Sequence, residues 1–358
     1  LDKRCINWWA RRRYTMGRHF ALSLILIFLL FFLPWLWGEP TRAVQEEPPA
    51  GDTEPGGEEE PPEAPPEEPS AAASIDKNRK LNILAGGQLR QTDMESYLMG
   101  VVRAEMPAAF ELEALKAQAV AARTYTLHKM QNGGSANHPE ADACDDITCC
   151  QAYLSQEEAA QNWGDQAPAW EEKVRAAVTG TDGECVLYEG APVLAVFHSS
   201  SVGATQDAAV VWSAPVPYLR SVETPESEET VPGYRSTASF TAGELKERLL
   251  SGLPEARLEG SPSNWFTNIH QQASGVVDSL TVGGVDVAGN RLRTILDLRS
   301  ACFTISFEGE TVSFSVTGYG HGVGMSQYGA NILAGDGMDY REILSWYYTG
   351  ATVERYEG

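Results

Sequence analysis

Two groups of side chains in this sequence have types and spacings suited to chemistry. The first is Glu105, in the run Val101-Val102-Arg103-Ala104-Glu105-Met106-Pro107. Pro107 closes a helix there, because the residue before a proline avoids the α region. Glu105 therefore falls in the last turn, where the negative end of the helix disfavours a carboxylate. Burial in a cleft would raise its pKa further, as a general acid requires. By itself, a glutamate at a helix end is common. The second group is His138, Cys144, Cys149 and Cys150, crowded into 13 residues. Three thiolates and one imidazole make a tetrahedral zinc set with every position filled by protein, hence a structural site. The spacing is not that of a standard zinc finger. In an exported chain the same cysteines also read as a disulfide, Cys144 to Cys149. Cys185 and Cys302 read as buried small apolar residues, with a bridge between them left open.

The elements that position these groups follow from pattern. Residues 75–89 read as a short strand and turn, broken at Gly86-Gly87. Thr92-Asp93-Met94-Glu95 has capping-box spacing and starts a helix, with Tyr97, Leu98, Val101 and Val102 on its apolar stripe. A second, alanine-rich helix spans 111–130 and closes at Gly133-Gly134. A strand over 191–197 follows a hairpin turn at Glu189-Gly190, so His198 sits at a strand end. Further on, 241–250 and 289–297 read as helices, and 276–282, 303–307 and 311–316 as strands. Segregated helices and strands mean an α+β fold rather than alternating βαβ. The glycines at 318, 320, 322 and 324 do not match a dinucleotide fingerprint. Gly324-Met325-Ser326-Gln327-Tyr328 likewise lacks the nucleophile-elbow pattern.

The run from Tyr97 to Pro107, followed by Glu113-Ala114-Leu115-Lys116-Ala117-Gln118-Ala119-Val120-Ala121-Ala122-Arg123-Thr124-Tyr125, resembles the stage II sporulation protein D family. Three later blocks agree in order: His198-Ser199-Ser200-Ser201 with Gly203, Thr205 and Val211-Trp212; Gly320-His321-Gly322-Val323-Gly324-Met325-Ser326-Gln327-Tyr328-Gly329-Ala330; and Glu342-Ile343-Leu344 to Tyr347-Tyr348. The resemblance covers about residues 75–355. One departure is Val202, where the family usually has a second glycine. The resemblance implies a peptidoglycan lytic transglycosylase acting during engulfment, with Glu105 as acid and then base. The sugar's own 6-hydroxyl attacks C1 and leaves a 1,6-anhydro end. His198, Ser199, Ser200, His321 and Gln327 are the polar residues expected to line the cleft. The serine run equally suits turn hydroxyls bonding their own backbone. Some family members carry a His-x5-Cys-x4-His-Cys zinc site; here Cys149 takes the second histidine's place, giving Cys3His. The implied partners are peptide-stripped glycan strands, the amidase stage II sporulation protein P and the membrane recruiter stage II sporulation protein M. Two rivals stand beside this: a glycan-binding enhancer of a cell-wall amidase, and a zinc hydrolase, for which the ligand set leaves no open position.

The first 73 residues differ from the rest. Residues 1–18 form a basic flank, and 20–37 carry no charge. At about 1.5 Å per residue such a run spans roughly 27 Å, near a bilayer core. The expectation is a transmembrane anchor over 19–38 with the flank in the cytoplasm; a cleaved signal peptide is the alternative. Residues 39–73, with nine prolines and eleven acidic residues, read as a disordered tether. By resemblance the protein is then a single-pass protein of the mother-cell membrane facing the septal space. The expected organisation continues as a catalytic lobe at 74–217, a β-rich second lobe at 218–317, and the signature loop with a C-terminal helix at 318–358. Net charge of −22 excludes nucleic acid as a partner, because phosphate binding needs a basic face.

Overall fold

The computed structural model describes residues 73–358 apart from 136 and 213. The basic flank, the predicted anchor and all but the last residue of the tether lie outside these residues. Where a strand is expected from residue 75, Ser74 instead caps a one-turn helix, α1 (Ile75–Asn78), its hydroxyl accepting the Lys77 N–H. A hairpin follows, β1 (Lys80–Ala85) and β2 (Gln88–Asp93), turning at Gly86-Gly87. Asp93, rather than Thr92, caps α2 (Met94–Glu105) by accepting the Ser96 N–H. The alanine-rich α3 (Leu112–Gln131) runs through the core, and β3 (Ala143–Cys144) adds in parallel to β1. Two helices then cover this layer, α4 (Gln156–Trp163) and α5 (Ala167–Thr179).

The chain continues through β4 (Glu184–Tyr188), β5 (Ala191–Pro192), β6 (Phe197–His198) and the short α6 (Ala208–Trp212). Next come β7 (Arg235–Thr241), α7 (Ala242–Gly252), β8 (Phe266–Gln271), β9 (Val277–Val282), β10 (Val285–Ala288), α8 (Gly289–Leu296), β11 (Phe303–Glu308) and β12 (Thr311–Thr317). They build two antiparallel sheets, in the orders β10-β9-β8 and β11-β12-β7. The last elements are β13 (Met325–Ser326), α9 (Gln327–Gly335), α10 (Tyr340–Tyr347) and β14 (Thr352–Arg355). Here the chain returns to its beginning: β14 pairs with β4, β13 pairs with β6, and α9 and α10 pack on α3. One apolar cluster gathers α2, α3, α5, β4 and the C-terminal helices; the buried residues of a second lie within 245–316, with Ala238, Phe240 and Ala242 packed against them.

Helices and strands are thus segregated as an α+β fold requires, but the membrane part of the expectation is corrected. Among the described residues no helix is long and apolar enough to cross a membrane. The longest, α3, spans about 30 Å, yet it carries Glu113, Lys116, Arg123 and Lys129 and buries its alanines in the core. The single-pass topology, and the localisation derived from it, find no spanning helix among these residues.

A buried ion pair closes the first cluster. Arg123 of α3 bonds Asp76 of α1 at 2.7–3.1 Å, and both side chains are essentially inaccessible. Arg123 also donates to Glu184 O and Thr181 Oγ1, so its planar donor fork is met on several sides.

Candidate functional site

Glu105 ends α2 and is 9% exposed. Its Oε1 accepts the backbone N–H of Ala152 at 2.7 Å. Burial pushes its pKa up to about 7, although that amide bond works in the opposite direction. Arg103, two residues earlier, turns away and pairs with Glu171. The Ala152 amide is delivered by a strap, residues 151–154, laid along α2. Gln151 donates to Thr126 Oγ1 and Ala122 O, and the Leu154 N–H donates to Gly100 O. The Tyr153 ring stacks near Tyr97, with 6.1 Å between centroids, and covers Gly100 so closely that any Cβ there would overlap it. Gly100 is thus a packing requirement for the strap.

The cysteines lie immediately before this strap. The sulfurs of Cys144, Cys149 and Cys150 come within 4.8 Å of one another, a group that could hold a metal ion. Ser135 Oγ bonds the sulfurs of Cys144 and Cys149, and backbone N–H groups of Asp146 and Asn137 add one bond to each. Lys129 Nζ bonds Cys149 O and stands 3.6–3.7 Å from the sulfurs of Cys149 and Cys150. Burial pushes the Cys144 thiol up to about 12. At Cys149 burial acts the same way, but the hydrogen bonds and the Lys129 charge outweigh it and bring the thiol down to about 6. A soft three-sulfur set with N–H donors behind it suits a thiophilic dication. His138 stands outside the group, its Nδ1 3.9 Å from Glu140. All five described cysteines are unbridged.

Parallel pairing of β6 with β13 sets His198 beside Ser326 and joins the two polar blocks. His198 is 2% exposed. Its Nδ1 lies 3.1 Å from Val323 O and so carries the hydrogen; its Nε2 accepts the Ser201 hydroxyl at 2.6 Å. Burial holds its pKa down to about 3, and the imidazole is neutral. His321 accepts the Val323 N–H at Nδ1, and burial followed by the Arg293 charge lowers it to about 4. The two rings lie 5.6 Å apart, with Trp212 5.9 Å from His321. Gly320 has φ +119°, and a Cβ there would sit 2.6 Å from His198 Cβ, which lets the two blocks close up.

The structure therefore brings His198, Ser200 and His321 together. Ser200 and His321 line a small cavity of about 20 Å³ with Ser201, Gln206, Asn290 and Cys302. Ser199 is half-buried, with its carbonyl accepting the Tyr328 N–H. Gln327 is buried and donates to Gln118 of α3 at 3.3 Å. Glu105 is not in the cavity wall. It connects to the signature block through the turn that follows it: the Phe110 ring meets Tyr328 edge-on at 4.9 Å, and the Glu111 N–H donates to Asn331. One buried carboxylate escapes sequence reasoning altogether. Glu226, 6% exposed, accepts bonds from Ser326 and Ser201. It sits in the acidic loop Glu223-Thr224-Pro225-Glu226-Ser227-Glu228-Glu229, where nothing in spacing separates it from solvated neighbours.

Comparison with known proteins shows what the chain is similar to. Residues 86–188 match the family model for stage II sporulation protein (SpoIID). The chain is similar to stage II sporulation protein D of Bacillus subtilis (strain 168), 36% identical over 273 residues, covering 75% of this chain and 76% of the relative. The same protein of Bacillus amyloliquefaciens is 36% identical over 260 residues, 73% of this chain and 74% of the relative. An amidase enhancer of Bacillus subtilis is 30% identical over 309 residues, 72% of this chain and 40% of that protein.

Proposed function

The chain belongs to the stage II sporulation protein D family, and from that premise we propose that it is a peptidoglycan lytic transglycosylase of sporulation, cleaving the bond between N-acetylmuramic acid and N-acetylglucosamine. The observation that carries this reading is Glu105: buried, bonded by a single amide, and held near pH 7. A carboxyl titrating there holds a proton for the leaving oxygen and can take one back afterwards. The 6-hydroxyl of the sugar is the nucleophile, and its proton passes to Glu105 as the 1,6-anhydro ring closes. Ordinary glycoside hydrolysis needs two carboxylates; an internal nucleophile needs one.

Ser199 and His321 are the proposed sugar contacts. His198, Ser200 and Gln327, all buried, serve by holding the segments that carry them. Cys144, Cys149 and Cys150 would hold zinc in a structural role, contributing folding free energy; His138, expected as the fourth ligand, lies outside the sulfur group. The amidase stage II sporulation protein P and stage II sporulation protein M are the proposed partners.

The test is the end group. Purified protein with peptide-free glycan strands should yield 1,6-anhydro ends, and Glu105→Gln should cut cleavage about 10²–10⁴-fold. Reducing ends would mean a hydrolase. The amidase-enhancer relative favours a second reading, a glycan-binding enhancer of an amidase. It would prevail if the intact protein cleaves nothing yet stimulates an added amidase.

A further inference from the structure

Glu226 lies 100 residues before Ser326 and 25 after Ser201, in neither polar block, yet it touches both. Its Oε1 accepts the Ser326 hydroxyl and the Ser201 N–H, the latter at 2.9 Å. Ser326 in turn caps α9 by accepting the Gly329 N–H and also reaches Ser199 O. Ser201 closes the bond to His198 Nε2. One carboxyl oxygen thus fixes the start of the signature helix and the end of the His-Ser-Ser-Ser turn relative to each other. The other oxygen, Oε2, has no hydrogen-bond partner among the described residues; it faces Gly329, where Thr224 Oγ1 and Tyr347 OH also converge. Burial raises the pKa of this carboxyl, against the bonds it accepts. Two bonds accepted on one oxygen, and two hydroxyl groups near the other, are also what a neutral amide would satisfy.

We propose that Glu226 is a positioning residue, a clamp that locks the His198–Ser201 turn to the Ser326 cap and so sets Ser199 and His321 for sugar. The sugar part rests on the glycan-cleaving reading; the clamp does not. The clamp acts through hydrogen bonds rather than charge, which separates it from a second catalytic carboxylate.

Glu226→Gln keeps the acceptor oxygen and offers an N–H₂ to Thr224 and Tyr347. Glu226→Ala removes both. Amide hydrogen exchange should rise at least about tenfold at Ser201, Tyr328 and Gly329 in Glu226→Ala and stay near the parent rate in Glu226→Gln. With peptide-free glycan strands, Glu226→Ala should raise KM roughly 5- to 100-fold, the usual cost of unpaired buried polar groups, with kcat little changed; Glu226→Gln should restore it. Ser326→Ala provides the second probe if Glu226→Ala unfolds: it loses the Ser326–Glu226 bond and should loosen Ser201 and Tyr328, Gly329 being set aside because Ser326 caps it directly. Unchanged exchange in both Glu226→Ala and Ser326→Ala would overturn the clamp. Loss of kcat in Glu226→Gln comparable to that in Glu105→Gln would overturn it in favour of a catalytic carboxylate. If the parent protein neither binds nor cleaves glycan, the glycan reading fails, and the exchange data alone decide the clamp.

Discussion

Replacing Glu105 by Gln should stabilise the protein at alkaline pH while abolishing most cleavage. The carboxyl titrates near 4.5 when exposed and at about 7 in the fold. At about 1.36 kcal/mol per pH unit, that difference amounts to roughly 3 kcal/mol. A raised carboxyl pKa means the folded state binds the proton more tightly than the unfolded state. Stability from this group is therefore complete below about pH 4.5 and is lost as pH rises through about 7. Gln keeps an oxygen for the Ala152 N–H and carries no charge to desolvate. The variant should match the parent near pH 4 and exceed it by on the order of 3 kcal/mol at pH 8. Urea unfolding of both proteins at pH 4, 6 and 8 measures this, and other titrating groups cancel in the difference. A gap that does not change with pH, or a Gln variant weaker than the parent at pH 8, would refute the buried-carboxyl argument. The same titration makes cleavage by the parent decline above about pH 7, where the acid form disappears.

Gly100→Ala should push Tyr153 off α2 and loosen the strap that holds the Ala152 amide; overpacking of this kind costs about 1–3 kcal/mol, read by urea unfolding, and cleavage should fall with it. Purified protein should carry about one zinc per chain by elemental analysis, and Cys150→Ser should lose metal and thermal stability together; an absence of zinc with a Cys144–Cys149 bridge found by mass spectrometry would reverse the assignment. Asp76→Ala leaves Arg123 buried without its carboxylate and should cost about 3–5 kcal/mol, again by urea unfolding, with the end-group chemistry of any remaining cleavage unchanged.

Local signals carry a long way in this chain. The end of α2 at Glu105, the extent of α3 to within a residue at each end and the hairpin break at Gly86-Gly87 are legible, because each depends on neighbours within a few positions; the strand expected over 191–197 is instead two short pieces, β5 and β6, paired with β4 and β13. Periodicity is weaker over 156–179: α4 buries only Ala159 and α5 only Val174, Ala177 and Val178, so neither offers a broad apolar stripe. The capping box of Ser155 and Glu158 is the local cue that marks their start. What pattern cannot supply is partnership at a distance. The Ala152 amide on Glu105 spans 47 residues, the Ser326–Glu226 bond 100 and the Gln327–Gln118 bond 209. Each depends on how the sheets and helices close. The same holds for His198, whose type suggests a solvent-facing donor but whose neighbours, set by β13, make it an internal strut.

The return of the chain to its own beginning has a consequence for biosynthesis. Helix α3 lies under α9 and α10, and β4 lacks one neighbour until β14 arrives at residues 352–355. Contacts of such sequence separation form late and slowly. A nascent chain therefore holds the face of α3 that meets α9 and α10 uncovered until those helices have been made, whereas residues 235–317 can collapse as soon as they emerge. The interval between those two events is the aggregation-exposed stage of this protein's life. It is also a safeguard: Phe110 and Glu111, just after Glu105, meet Tyr328 and Asn331 only once α9 has been made, so a chain cut short before α9 lacks these contacts.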